Sequence, residues 1–207
     1  MKPAAASAGG VAQAVGAGAG RGLQLVDSAA DPWREITADD APVAVPALDA
    51  HRLLTPEQWQ SVRSGWPAAL PVGLLLPNDL DLEPLAADLS RFALVALQFP
   101  KWVDGRAYSQ ARLLRARFRF TGEVRATGEV LVDMLPLLAR TGFDSALLRA
   151  DQSPEVAARV LSFFPQGHYQ GDVAETRPRF AREAGAQATQ RASTATTAAG
   201  PAAEPRR

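Results

Sequence analysis

The sequence predicts an α/β fold of about four parallel β-α units, arranged as a small doubly wound sheet or as half of a β/α barrel. Three observations lead there. From Val72 onward short apolar runs alternate with helical segments. The loops between them are short. Most of the helical segments open on a capping residue with proline in the first turn.

LQLVD (23–27) reads as a short strand, and Asp31-Pro32 marks a turn after it. APVAVPAL (41–48) carries too many prolines for a central strand. Thr55-Pro56-Glu57 starts a helix, with Thr55 as cap, and Gly65 closes it. VGLLL (72–76) is a buried strand. DLEPLAADLSR (81–91) is a helix capped by Asp81. ALVALQF (93–99) is the second strand of the alternation, and YSQARLLRARF (108–118) its helix. GEVRATG (122–128) holds the third strand. MLPLLART (134–141) is a helix capped by Asp133 and ended by Gly142. SALLRA (145–150) is the fourth strand, and Ser153-Pro154-Glu155 opens the last helix.

The strand at 123–127 alternates Glu123, Arg125 and Thr127 with Val124 and Ala126. A strand covered by helices on both faces is apolar throughout. The alternation therefore turns one face toward a site or solvent and favours the curved, barrel-like arrangement.

Residues 1–22 are Ala/Gly-rich, and 174–207 are similarly poor in large apolar side chains. Both are expected to be disordered, because neither can bury enough surface to offset ordering entropy. A single α/β domain is expected over 23–173.

Composition excludes several functions. Of 207 residues, 47% are hydrophobic and 21% charged, with 22 Lys plus Arg against 22 Asp plus Glu. Phosphate neutralisation dominates nucleic-acid affinity, so without a basic excess no nucleic-acid partner is expected. No apolar run approaches the ~20 residues of a membrane helix, and no signal-peptide core is evident. A cytoplasmic protein without membrane contact is expected. With Cys 0, the chain has no thiol nucleophile, disulfide or thiolate ligand for an iron–sulfur centre. His51 and His168 stand far apart, so no metal site is expected. GxGxxG, Walker-type and GxSxG motifs are absent, and the cofactor is left open.

In parallel α/β folds ligands bind beyond the carboxyl ends of the strands. There the sequence places Asn78 and Asp79, then Lys101, Asp104 and Arg106, then Glu129, then Arg149 and Asp151. The stretch FPKWVDGRAYS (99–109) is the sharpest part. A helix start beside Lys101, Arg106 and Arg112 suits an oxyanion, with Ser109 capping the helix or binding a ligand oxygen. The candidate anion-binding set is Lys101, Asp104, Arg106, Ser109, Arg112, Arg125, Glu129 and Arg149. The plainer alternative is a turn salt bridge between Asp104 and Arg106 with Lys101 solvated. Arg125 is half of a structural ion pair, with Glu123 or Glu129, or a ligand contact. Arg112, Arg115 and Arg119 lie at i, i+3 and i+7 and read as a solvated helix face.

The segment 99–151 also resembles a known bacterial family. Its pattern is FPKF-x-DGR-x-x-S-x-ARLLR, then GE-x-RA-x-GDV, an Asp-Gln pair and R-x-GFD. The chain matches at FPK (99–101), DGR (104–106), Ser109, ARLLR (111–115), Gly122, Glu123, Arg125, Ala126, Gly128, Val130, Asp133, Arg140, Gly142 and Phe143. It departs at Glu129, where the family has Asp, and at Met134, where it has Gln. Members of this domain-of-unknown-function family are often described as oxidoreductases involved in sulfite reduction, encoded beside the sulfite reductase hemoprotein. The resemblance implies an accessory protein of sulfur assimilation, with that hemoprotein or a small anion as partner. An oxidoreductase with a bound organic cofactor and a non-catalytic docking protein are the alternatives.

Overall fold

The computed structural model describes residues 22–35, 49–163, 170–173, 176–178 and 180–181. The Ala/Gly-rich start up to Arg21, the APVAVPAL stretch, His168 and most of the sequence after Val173 lie outside them.

Seven strands form one sheet: β1 (Gln24–Leu25), β2 (Arg34–Glu35), β3 (Arg52–Leu54), β4 (Val72–Leu76), β5 (Phe92–Phe99), β6 (Glu123–Gly128) and β7 (Ser145–Ala146). Every neighbouring pair is parallel. The helices are α1 (Pro56–Val62), α2 (Arg106–Ala116), α3 (Leu135–Thr141) and α4 (Pro154–Leu161). Between β4 and β5 runs a 3₁₀ helix, Glu83–Arg91, in place of the α-helix the sequence suggests.

The spatial order is β1-β7-β6-β5-β4-β3-β2. From β2 to β7 the order follows the chain and never reverses, whereas a doubly wound sheet requires a reversal. Crossovers of one hand then place the helices on one face, and the sheet curls into a half barrel. The alternation at 123–127 pointed the same way.

β1 lies on the edge beyond β7, and β2 on the opposite edge. Residues 26–33 therefore cross the open face of the sheet as a strap. A flat sheet of seven strands is about 29 Å wide. The nine Cα steps from Leu25 to Arg34 reach at most about 32 Å when extended. A turn inside the strap, closed by Ala30 N–H on the Asp27 carbonyl at 3.1 Å, shortens that reach by several ångströms. A chain of this length can join the two edges only if the sheet is curved.

The helix-covered face is apolar. Leu54, Leu74, Leu76, Val95, Leu97, Phe99, Val124 and Ala126 belong to one core cluster with residues of all four helices. On the concave face a second cluster joins Leu53, Leu75, Leu94 and Ala96, with Trp33 of the strap packed against it. Gly73 faces the same way, and a Cβ there would lie 2.5 Å from Leu53 Cδ2 and 2.9 Å from the Trp33 ring. Only glycine lets the strap approach the sheet this closely.

Local signals account for the helix ends. Thr55 Oγ1 accepts the Gln58 N–H (3.3 Å) while Gln58 Oε1 accepts the Thr55 N–H (2.8 Å), a reciprocal cap that starts α1 with Pro56 in its first turn. Gly142 ends α3 with φ 107°, the left-handed conformation that suits glycine. Ser153 caps α4 through the Val156 N–H at 3.2 Å. Asp133 does not cap α3. It lies in a one-turn 3₁₀ helix, Val132–Met134, that leads into α3 without a side-chain cap. The strand expected at 145–150 contains only two residues: the Leu147 N–H still bonds the Ala126 carbonyl at 2.9 Å, but the Arg149 N–H goes to the carbonyl of Val130, beyond the end of β6, at 3.1 Å.

Candidate functional site

All seven strands point their carboxyl ends the same way, and the loops after β4, β5, β6 and β7 gather charge there. After β5 the chain runs through Pro100 and Lys101 to Trp102 and Val103, then turns at Asp104-Gly105 into α2. The Asp104 N–H bonds the Lys101 carbonyl (3.0 Å), which closes that turn. Gly105 is the N-cap of α2 and offers no side chain. Asp104 serves instead, accepting the Arg106 N–H on Oδ1 at 3.3 Å and the Arg106 guanidinium on both oxygens, at 3.0 and 2.7 Å. The anion expected at this helix start is thus the chain's own carboxylate. Ser109 is one turn further on, exposed and not a cap.

The Arg106 hydrogen bonds hold the Asp104 carboxyl far below the usual range, and Arg106 is raised in return. Asn78, buried at the end of β4, adds to the effect on Asp104, although its amide nitrogen makes no hydrogen bond of good geometry.

A second cluster follows β6 and β7. Arg149 holds Asp151 in a fork (2.6 and 2.7 Å) and Glu129 through NH1 at 2.6 Å. Arg149 is raised by these bonds, and Asp151 is lowered to about 2, chiefly by Arg149. Among the described residues no hydrogen bond or ion pair joins this cluster to Asp104–Arg106. Lys101 and Arg112 are exposed and make no ion pair among the described residues.

The sign of the acid response follows from these shifts. A carboxylate depressed in the folded state stabilises the fold above its unfolded pKa of about 3.9, and that contribution is lost as pH falls through the folded value. In a carboxyl-carbon NMR titration Asp151 should titrate near 2. Asp104 should also titrate below the ordinary range. In Arg149→Ala and Arg106→Ala, respectively, each should return toward the usual value; unchanged midpoints would remove the pairs as the cause.

Arg125 lies elsewhere. It sits mid-strand on the concave face, with its side chain 6% exposed. Its partners are Glu123 Oε1 (3.0 and 2.9 Å), Ser145 Oγ (3.3 Å) and Asp31 Oδ2 of the strap (2.6 Å). Glu123 is one of the two acids the sequence offered for it. Asp31, 94 residues away, had no signal in the sequence. Next to this network is a cavity of about 350 Å³, lined by strap residues Asp27, Ala30, Asp31 and Pro32 and by Glu123, Asp144 and Ser145. Its sheet residues Glu123, Asp144 and Ser145 lie at the amino ends of β6 and β7, opposite the predicted edge. Of the eight predicted anion-binding residues, only Arg125 lines it.

Arg115 departs from the solvated face expected of it. Its guanidinium donates to the carbonyls of Gly142 (3.0 Å), Phe120 (2.6 Å) and Gly122 (2.8 Å), and pairs with Asp144. It ties the end of α2 to the start of β6 and the end of α3. Arg112 is solvated as expected. Arg119 lies beyond α2 in a left-handed conformation, φ 55°.

Two residues of the FPKWVDGRAYS stretch (99–109) carried no weight in the sequence reading. Trp102 is 53% exposed and Val103 65% exposed, side by side at the tip of the β5–α2 loop. The available signal was WV between Lys101 and Asp104, where a turn usually carries polar residues. Tyr108, behind the loop, packs against Phe99 and Phe143 (5.1 and 6.3 Å between ring centres). Burial pushes its hydroxyl up to about 12, so it is neutral at physiological pH.

Among the described residues, no group of three or more His, Cys, Asp and Glu side chains could hold a metal ion, and no helix is long and apolar enough to cross a membrane. A family model described as "Bacterial protein of unknown function (DUF934)" matches residues 73–180. That span begins in β4 and includes the β5–α2 loop, β6 and both charged clusters. No curated protein matches the chain.

Proposed function

We propose that this chain, which belongs to the DUF934 family of bacterial proteins of unknown function, is an accessory protein of assimilatory sulfite reduction that docks on the sulfite reductase hemoprotein through the carboxyl edge of its sheet. The pathway rests on the resemblance of 99–151 to proteins described in those terms. The mode of action rests on one observation: Trp102 and Val103 stand exposed at the tip of the β5–α2 loop, ringed by Lys101 and the Asp104–Arg106 pair. An exposed tryptophan within a polar rim has the composition of an interface anchor.

Docking is favoured over capture of a small anion because Arg106 and Arg149 already hold carboxylates in their forks. An incoming oxyanion would have to displace Asp104 or Asp151 before gaining the same bonds.

Deletion of the gene should stop growth on sulfate and sulfite and spare growth on sulfide; normal growth on all three removes sulfur assimilation. With purified partners, Trp102→Ala should weaken association by about 2 kcal/mol, roughly thirty-fold, without changing the melting temperature. An unchanged affinity removes the loop from the interface. Thermal stabilisation by sulfite that disappears in Arg106→Ala would instead favour the anion.

A further inference from the structure

We propose that the strap, residues 26–33, is a hinged lid over the concave face, and that the Asp31–Arg125 ion pair is its latch. It crosses from β1 at one edge to β2 at the other, and each of those strands contributes only two paired residues to the sheet. Residues 27–30 at its turn are exposed. Among the described residues, two strap side chains make the contacts that hold it down: Asp31 on Arg125, and Trp33 against Gly73, Leu53 and the His51 ring at 5.0 Å. The 350 Å³ cavity is lined by Asp27, Ala30, Asp31 and Pro32 of the strap and by Glu123, Arg125 and Ser145 of the sheet, so over that stretch the strap covers space, and only at Trp33 does it pack on the core.

The charge arrangement lets the latch open. When one partner of a buried ion pair leaves, the usual obstacle is the charge left behind. Here Arg125 keeps two hydrogen bonds to Glu123 Oε1 and one to Ser145 Oγ, all from the sheet itself. Asp31, carried out on the strap, passes into water. Neither charge is stranded, so opening costs one ion pair and the Trp33 contacts while the sheet's own pairing stays whole. Asp31 also accepts the Trp33 N–H (3.3 Å), which couples the latch to the second anchor. Opening exposes a polar strip, Glu123, Arg125 and Ser145, from the side opposite the docking loop.

The absence of cysteine gives a clean test. Ser145→Cys places one thiol beneath the strap, and in a separate protein Ala146→Cys places one on the helix-covered face; Ser145 is 5% exposed and Ala146 0%. Each is treated with a small aromatic disulfide reagent with and without Asp31→Asn. Asp31→Asn should speed labelling at position 145 at least ten-fold and leave position 146 unchanged. Equal acceleration at both positions means general unfolding, and no acceleration at 145 means the pair is not a latch; either result overturns the proposal. Hydrogen exchange on the otherwise unsubstituted chain gives an independent reading. Asp31→Asn should accelerate exchange of the Trp33 amide ten-fold or more while the Arg34 amide, bonded to the His51 carbonyl at 3.0 Å, and β5 keep their protection; an unchanged Trp33 rate overturns the lid.

Discussion

Trp59→Ala is expected to lower stability by about 4 kcal/mol, which is roughly 10 °C or more in melting temperature for a domain of this size. Trp59 is completely buried beneath α1. Its ring meets Phe92 of β5 at 4.9 Å and Trp66 at 6.4 Å, and the Arg91 guanidinium lies over it at 5.6 Å. Its Nε1–H donates to Asp88 Oδ2 at 2.8 Å. Truncation removes the packing of four elements at once and leaves a cavity that a short helix and a 3₁₀ segment cannot both move to fill. Trp59→Phe separates the terms, since it keeps most of the buried area and loses the hydrogen bond. Asp88 retains Arg63 at 3.3 Å and some solvent, so this variant should lose about 1–2 kcal/mol. Urea denaturation of the two variants measures both values. A loss below about 2 kcal/mol for the alanine variant would show that the ring does not hold α1 to the sheet.

Arg115→Ala is expected to cost about 3–5 kcal/mol. The guanidinium serves three backbone carbonyls and one carboxylate, and its side chain is 15% exposed. Its removal leaves Asp144 without its cation, although Oδ2 still accepts the Val124 N–H at 2.9 Å. Arg115→Lys should recover only a part, because an ammonium on a flexible stem cannot reach the Gly142, Phe120 and Gly122 carbonyls from one planar fork. If alanine and lysine variants unfold at the same urea concentration as the parent, the arginine is a surface residue after all.

These two residues also show what could be read in advance. β4, β5, β6 and the glycine end of α3 were legible, because apolar runs and Gly142 are local signals that the tertiary structure did not override. β2 and β3 were not. Arg34–Glu35 and Arg52–Leu54 become strands by pairing with a neighbour, and two or three residues carry no periodicity. Arg115 was misread because its helical spacing with Arg112 says nothing about the carbonyls that α3 and β6 bring to it. For the candidate site, the sequence located the charged carboxyl edge. It offered the Asp104–Arg106 turn salt bridge as the plainer alternative, and that bridge forms; it did not foresee that Asp151 would neutralise Arg149 from two residues away. Asp31 beside Arg125 is a contact between distant segments, and only the strap's path creates it.

The position of β1 has a consequence for assembly. Gln24 and Leu25 take their partners, Ser145 and Ala146, from the far end of the domain. When this N-terminal segment leaves the ribosome its place in the sheet does not exist, and it cannot be seated until more than a hundred further residues have emerged. Pairings between such distant segments are entropically expensive and form late. Edge completion is therefore a late step of assembly here, and until it occurs β7 presents an open flank on which a second nascent chain can lay the same two residues.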